Sequence, residues 1–142
     1  MEIYGLEVTG SFDVLNLVNQ IAHITASYAS ALTKPNVIAF ACSDETTELI
    51  SGSALGTFYM PYSLTVSNIK ASLTITGSSD SAVDILKNGT TVFTSAMIIS
   101  ASVNTGSLVP TVTSFNSDEK IQIDLNTAGT GSAGLKIYIL GN

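Results

Sequence analysis

Arginine and tryptophan are absent from this chain, and cysteine and histidine occur once each, as Cys42 and His23. Without arginine there is no planar guanidinium fork to grip a phosphate or a guanine edge at two points. The cations are five lysines, Lys34, Lys70, Lys87, Lys120 and Lys136, scattered singly in a chain of net charge -6. Nucleic acid is therefore not expected as a partner. A lone cysteine excludes an intrachain disulfide and a thiolate metal cluster alike. Cys42 lies in the apolar run 37–42 and reads as a small core residue. His23 sits in an apolar segment with no neighbouring cysteine or carboxylate pair, so packing or an interface describes it better than general base or metal ligand.

Charge of either sign is scarce. Charged residues make up 11% of the chain against 45% hydrophobic, where soluble domains average about a quarter charged. Serine, threonine, asparagine and glycine supply part of the missing polarity, and burial against other chains supplies the rest. The stretch 14–32 carries no formal charge, yet Asn16, Asn19, Gln20, His23, Thr25, Ser27 and Ser30 make it too polar to span a membrane. It is preceded by Glu2, Glu7 and Asp13 with no basic residue, which is not the pattern of a signal peptide. The expectation is synthesis in the cytoplasm and no membrane association.

What is present, from about residue 36 onward, is a series of short runs rich in Val, Ile, Thr, Phe and Tyr, separated by Gly, Ser, Asn and Asp clusters. This spacing belongs to an antiparallel sandwich or barrel. Strands are predicted at 37–42, 54–59, 63–76, 82–87, 90–95, 97–101, 109–114, 120–126 and 134–140, with 63–76 either two strands or one bent strand. Asn88-Gly89 between two apolar runs marks a two-residue hairpin. Ile69, Ala71, Leu73, Ile75 and Ile121, Ile123, Leu125 alternate with polar neighbours, so each strand has one core face and one wet face. Short, unequal strands and the Gly- and Ser-rich stretch 127–134, read as a flexible tip at one end, favour a sandwich over a closed barrel. The fold class is all-β, an antiparallel β-sandwich over 37–142, following a short N-terminal arm over 1–36, helical or extended.

In the arm, Val14, Leu17, Ile21, Ile24, Tyr28 and Ala31 recur at spacings of three and four. Isoleucine at successive core positions of such a seam favours three strands, so one reading is a short trimeric coiled coil capped by Ser11 or Asp13. The other is an extended arm lying on a neighbour, since fewer than three heptads and several serines and threonines make a weak helix. Lys34-Pro35-Asn36 is the hinge. On either reading Val14, Leu17, Ile21, Ile24 and Tyr28 are the anchoring and trimer-interface residues.

Chemistry is thinly represented. The carboxylates of 43–48 lack the alternating ligand spacing and the glycine of a calcium loop, so no metal is expected. Asp80 with Asp84, and Asp118 with Asp124, form a hydrolytic pair only if strands bring them together, and solvated turns explain Asp80 and Asp118 without it. Gly129 and Gly131 are followed by no lysine at phosphate-loop spacing. Phe58, Tyr59 and Tyr62 around Met60-Pro61 are the candidate ligand-facing aromatics, with core or interface packing as the competing reading. No cofactor and no enzymatic activity are expected.

The residues 41–47, Gly56-Thr57-Phe58-Tyr59-Met60-Pro61-Tyr62, Ala71-Ser72-Leu73-Thr74 and 83–89 follow one another in order. They close on Ile121-Gln122-Ile123-Asp124, a Gly-Ser tip and 133–137. Together they resemble the jelly-roll β-sandwich module of tailed-bacteriophage virion proteins, over residues 37–142. That resemblance implies a jelly-roll-like, usually homotrimeric module of fibres, tail parts or capsid decorations, with no shared catalytic residues. The expected function is thus a trimeric virion structural protein, a capsid decoration, head fibre or short tail fibre, bound to capsid or tail proteins through its arm. The alternative is a fibre-tip module that recognises a host-surface glycan.

Overall fold

A computed structural model describes residues 14–32 and 36–142. The chain forms two compact units, residues 1–34 and residues 35–142. In the first, Val14–Leu32 is an α-helix, α1, so the three-and-four periodicity forms a helix and not an extended strand. The proposed caps Ser11 and Asp13 and the hinge residues Lys34 and Pro35 lie outside the described residues, as do the side chains of Val14 and Tyr28.

The second unit is a sandwich of two sheets. Its strands are β1 (Asn36–Ala41), β2 (Gly52–Tyr59), β3 (Leu64–Ser72), β4 (Ser81–Lys87), β5 (Thr90–Thr91), β6 (Met97–Ile99), β7 (Thr105–Leu108), β8 (Ser114–Phe115), β9 (Lys120–Thr127) and β10 (Lys136–Gly141). One five-stranded sheet runs β2-β9-β4-β5 with β6 also on β4; the other runs β1-β10-β3-β7 with β8 also on β3. All of these pairings are antiparallel. The chain passes to the opposite sheet between β1 and β2, β2 and β3, β3 and β4, β6 and β7, β8 and β9, and β9 and β10. Such alternation produces the double Greek key of a jelly roll.

Alternation fills the space between the sheets. Val83 and Ile85 on β4, Ile121, Ile123 and Leu125 on β9, Ile69 and Ala71 on β3, and Ile137 and Ile139 on β10 are all buried. Each large side chain so removed from water contributes about 1.5–3 kcal/mol. Across the gap Phe40 stacks on Phe58, ring centroids 5.0 Å apart. Gly56 leaves room for that ring, because a Cβ there would strike the Phe40 side chain.

The local departures from the expected strands have local causes. The 63–76 segment is one strand in which Val66 and Asn68 pair with consecutive residues of β10, leaving Ser67 as a bulge; Ile75 instead bridges Ala133. The predicted strand at 90–95 stops after Thr91, whose Oγ1 accepts from the Phe93 N–H at 3.2 Å and turns the chain away from the ladder. Of the predicted strand at 109–114 only Ser114 is in a strand, β8; β7 ends at Leu108, ahead of Pro110, which has no N–H to donate. The Asn88-Gly89 turn forms as expected, with φ of 50° and 88° and Lys87 opposite Thr90.

The 127–134 tip is the main correction, for it is pinned. The Gly129, Thr130 and Gly131 N–H groups donate to Ser81 Oγ, Ser79 Oγ and Glu48 Oε1 at 2.9, 3.0 and 2.7 Å. Ser132 Oγ donates to the Gly129 carbonyl at 2.6 Å, and Ser81 and Ser132 are fully buried.

Two substitutions in this connection separate conformational from steric strain. Gly131 and Gly134 both have positive φ, 78° and 74°, but an added Cβ meets nothing at Gly131 and strikes Thr74 at Gly134. Gly131→Ala is expected to lower stability by about 1–2 kcal/mol, and Gly134→Ala by clearly more, in urea unfolding. Ile123→Ala, at the fully buried centre of β9, is expected to remove about 2–5 kcal/mol in the same measurement.

Candidate functional site

Because side chains alternate, burying Ala71, Ile137 and Ile139 turns Lys70, Ser72 and Tyr138 to the outer face of the β1-β10-β3-β7 sheet. Register then brings distant positions together. Tyr138 lies opposite Lys70, and Lys70 opposite Ser107; Lys136 lies opposite Ser72, and Ser72 opposite Thr105. Between these rows is an open depression of about 260 Å³ lined by Lys70, Ala71, Ser72, Thr105, Gly106, Ser107 and Tyr138. Tyr138 Oη and Ser72 Oγ share a hydrogen bond of 3.3 Å.

The depression holds one charge. Lys87 pairs with Glu119 at 3.2 Å and donates to the Ser114 carbonyl at 2.8 Å, and Lys136 pairs with Glu45. Lys70 has no such carboxylate partner among the described residues. Alternation around Ile69 and Ala71 already placed Lys70 on an outer face in the sequence, but no sequence signal stated that β3 and β10 are neighbours. That pairing joins residues almost seventy positions apart and follows only from the jelly-roll order.

The expected aromatic trio does not form one surface. Phe58 turns inward onto Phe40, while Tyr59, 63% exposed, and Tyr62, 41% exposed, remain at the surface. Consecutive residues of a strand face opposite ways, which is why Phe58 and Tyr59 part. On α1, Leu17, Ile21 and Ile24 occur at heptad spacing and are 40%, 54% and 57% exposed. Val18 is exposed as well, so the apolar face is broader than a single seam. Among the described residues, no helix is long and apolar enough to cross a membrane.

The carboxylates are engaged with the fold. Asp44 Oδ1 accepts from the Thr47 and Thr46 N–H groups at 2.7 and 2.8 Å, which draws its pKa down to about 2. Glu45 is held below its ordinary value by hydrogen bonds from Lys136 and Thr74. Glu119 is lowered first by the Asn116 N–H, at 2.7 Å, and then by Lys87. Asp80 accepts from the Ala101 N–H at 2.8 Å. Neither sequence-derived aspartate pair is a strand neighbour; instead Asp84 lies opposite Asp124. Their bonded oxygens serve different partners: Asp84 accepts from Thr91 Oγ1 at 2.6 Å, and Asp124 from the Ala54 N–H at 2.7 Å and Gln122 Nε2 at 2.8 Å. No group of three or more His, Cys, Asp or Glu side chains is arranged to hold a metal among the described residues. Cys42 packs against the core, and burial pushes its thiol pKa up to about 12.

No family model matches the chain, and no curated protein matches its sequence. Several solved structures show partial similarity to it. The SPBc2 prophage-derived protein YomS is 16% identical with a TM-score of 0.39, over 77% of this chain and 96% of that one. The carbohydrate-binding module CBM36, solved with calcium and xylotriose, is 14% identical with a TM-score of 0.40, over 72% of this chain and 95% of that one. The infectious bursal disease virus VP2 subviral particle is 16% identical with a TM-score of 0.38, over 77% of this chain and 33% of that one. What those proteins bind or build is their own property.

Lowered carboxylate pKa values give stability that is complete above the ordinary carboxylate range and is lost as pH falls through the folded values. Unfolding midpoints are expected to drop steadily below about pH 5. Asp44→Ala should flatten the most acidic part of that profile, where Asp44 titrates near its value of about 2. Cys42, with its thiol raised to about 12, is expected to react with iodoacetamide at neutral pH at least about a hundredfold more slowly in the folded chain than in urea.

Proposed function

We propose that this protein is a structural component of a bacteriophage particle, a homotrimeric capsid decoration, head fibre or short tail fibre. Residues 1–36 would fasten it to capsid or tail proteins, and the jelly roll would project from the surface. One observation carries the assembly part of this reading: α1 presents Leu17, Val18 and Ile24 to solvent on a helix without a single Asp, Glu, Lys or Arg. A helix of this length is marginal alone in water, and an exposed apolar stripe on it needs a cover. Leucine and isoleucine at threefold-compatible heptad positions make copies of the same helix a fitting one.

The sandwich adds a second support. Val37 and Asn68 both lie opposite Leu140, on the two flanks of β10. Val37 and Val109 are exposed, while Asn68 Oδ1 is buried with no hydrogen-bond partner. The exposed valines are apolar surface that a neighbouring subunit would cover. The virion assignment itself draws on the motif order over 37–142 and its resemblance to phage modules. The protein is read as non-enzymatic, because the carboxylates with assigned partners are occupied in capping amides, hydroxyls and lysines.

Recognition of a host-surface glycan is the second reading. Two surfaces favour it: the exposed Tyr59 and Tyr62, and the hydroxyl-lined depression at Tyr138.

Light scattering on the full chain is expected to give three times the 14.7 kDa chain mass. Leu17→Asp combined with Ile24→Asp should yield monomers whose β-sheet circular dichroism is unchanged. A wild-type monomer at micromolar concentration would sink the trimeric reading.

A further inference from the structure

We infer that the depression on the outer face of β3, β7 and β10 is a binding site for a single acidic sugar residue, a pyranose carrying one carboxylate. This deepens the glycan-binding reading above and does not depend on the trimer.

The cavity's size comes first. About 260 Å³ falls just under the roughly 300–1,000 Å³ of sites that enclose drug-sized ligands, so it suits one sugar ring and not an extended chain. Its opening to solvent leaves room for the rest of a polymer to continue outward.

Its chemistry comes next. Ser72, Thr105, Ser107 and Tyr138 bring four hydroxyl groups to one small surface, and each can both donate and accept. A polyol matches such a wall; a simple anion would leave most of it to water. Tyr138 also adds an aromatic ring to the lining, the amphipathic surface on which the C–H face of a sugar packs. The site is set on rigid strands, with Ser72 and Tyr138 bonded to each other at 3.3 Å, so little side-chain freedom is lost on binding.

Charge selects among polyols. Among the described residues, Lys70 is the only ionisable cation lining the depression, and it lacks the carboxylate partners that neutralise Lys87 and Lys136. One ammonium balances one carboxylate. A phosphate monoester, with a charge of roughly -2, would meet a single lysine within a chain of net charge -6, a field that opposes further negative charge. The depression is also remote in sequence and sheet from Tyr59, which lies on β2 of the opposite sheet, so the two glycan surfaces are separately testable.

The test is a titration of the full-length, ¹⁵N-labelled protein with methyl glucuronide, methyl glucoside, acetate and inorganic phosphate, followed by amide shifts. The uronide is expected to move the amides of Lys70, Ser72, Thr105, Gly106, Ser107 and Tyr138. The glucoside should bind about tenfold more weakly, and Lys70→Gln should weaken the uronide by about the same factor while leaving the glucoside unchanged. Tyr138→Phe, which keeps the ring, should retain binding that Tyr138→Ala loses. Equal affinity for both sugars, equal shifts from acetate or phosphate, or no shifts at these residues would each overturn the proposal. Sugar-induced shifts confined to Tyr59 and Tyr62, abolished by Tyr59→Ala and untouched by Lys70→Gln, would overturn this site while sustaining glycan recognition elsewhere on the chain.

Discussion

The apolar faces of β9 and β10 are the constraint on which the sandwich rests. Each is flanked on both sides within its own sheet, β9 by β2 and β4, β10 by β1 and β3. Their inward residues Ile121, Ile123, Leu125, Ile137 and Ile139 are all essentially inaccessible. They are also consecutive in the chain, so a single connection sets one sheet over the other. That explains why the connection is built so tightly. The Leu49 N–H donates to the Ser132 carbonyl at 2.8 Å, Glu48 and Ser81 accept from the Gly131 and Gly129 amides, Ser79 accepts from that of Thr130, and Ala133 bridges Ile75. A loose loop here would let the central strands slide, and a slip of one residue would turn every isoleucine to solvent.

The same period of two decides what the surface can offer. Once Ile121, Ile123 and Leu125 face inward, Gln122 and Asp124 must face out, and Asp124 meets Asp84 directly across the ladder. Like charges so placed repel, and the fold answers by giving each a separate donor: Thr91 for Asp84, and the Ala54 N–H and Gln122 for Asp124. On the other sheet the outward set is Lys70, Ser72, Lys136 and Tyr138, a combination of hydroxyls, one ring and cations. Glu45 takes one of those cations, and the other stays available. The chemically distinct depression is thus a by-product of core burial on the opposite side of the same strands.

The sequence disclosed much of this and missed the rest for physical reasons. Strand character, the Asn88-Gly89 hairpin and the burial of Ile121, Ile123 and Leu125 were legible because each rests on neighbours within a few residues. The jelly-roll order was carried by motif order and not by any local pattern. Strand breaks at Thr91 and Pro110 were missed because a β-rich composition continues through both; only a side-chain bond in one case and a missing donor in the other ended the ladder. The 127–134 segment looked mobile because glycine and serine usually are. Here their small size and hydroxyls let the backbone pack against Ser79 and Ser81, partners about fifty residues earlier that composition cannot reveal. The depression at Tyr138 was invisible for the same reason, since its lining comes from three strands that only the sheet order makes adjacent.

The core of the sandwich is closed by the sandwich's own side chains. Leu64, Phe115, Met60 and Leu135 close the space between the sheets alongside the central isoleucines, and interiors packed to this degree do not admit further side chains without strain. Charge inside the helix would be the simplest means of keeping it soluble as a monomer, and Val14–Leu32 contains none. On the proposed trimeric reading the two units divide the work of the chain: the sandwich is stable through its own burial, and the helix gains stability from its copies. On that reading assembly and folding are separable, so that loss of the helix contact would release intact sandwiches and not unfolded chains.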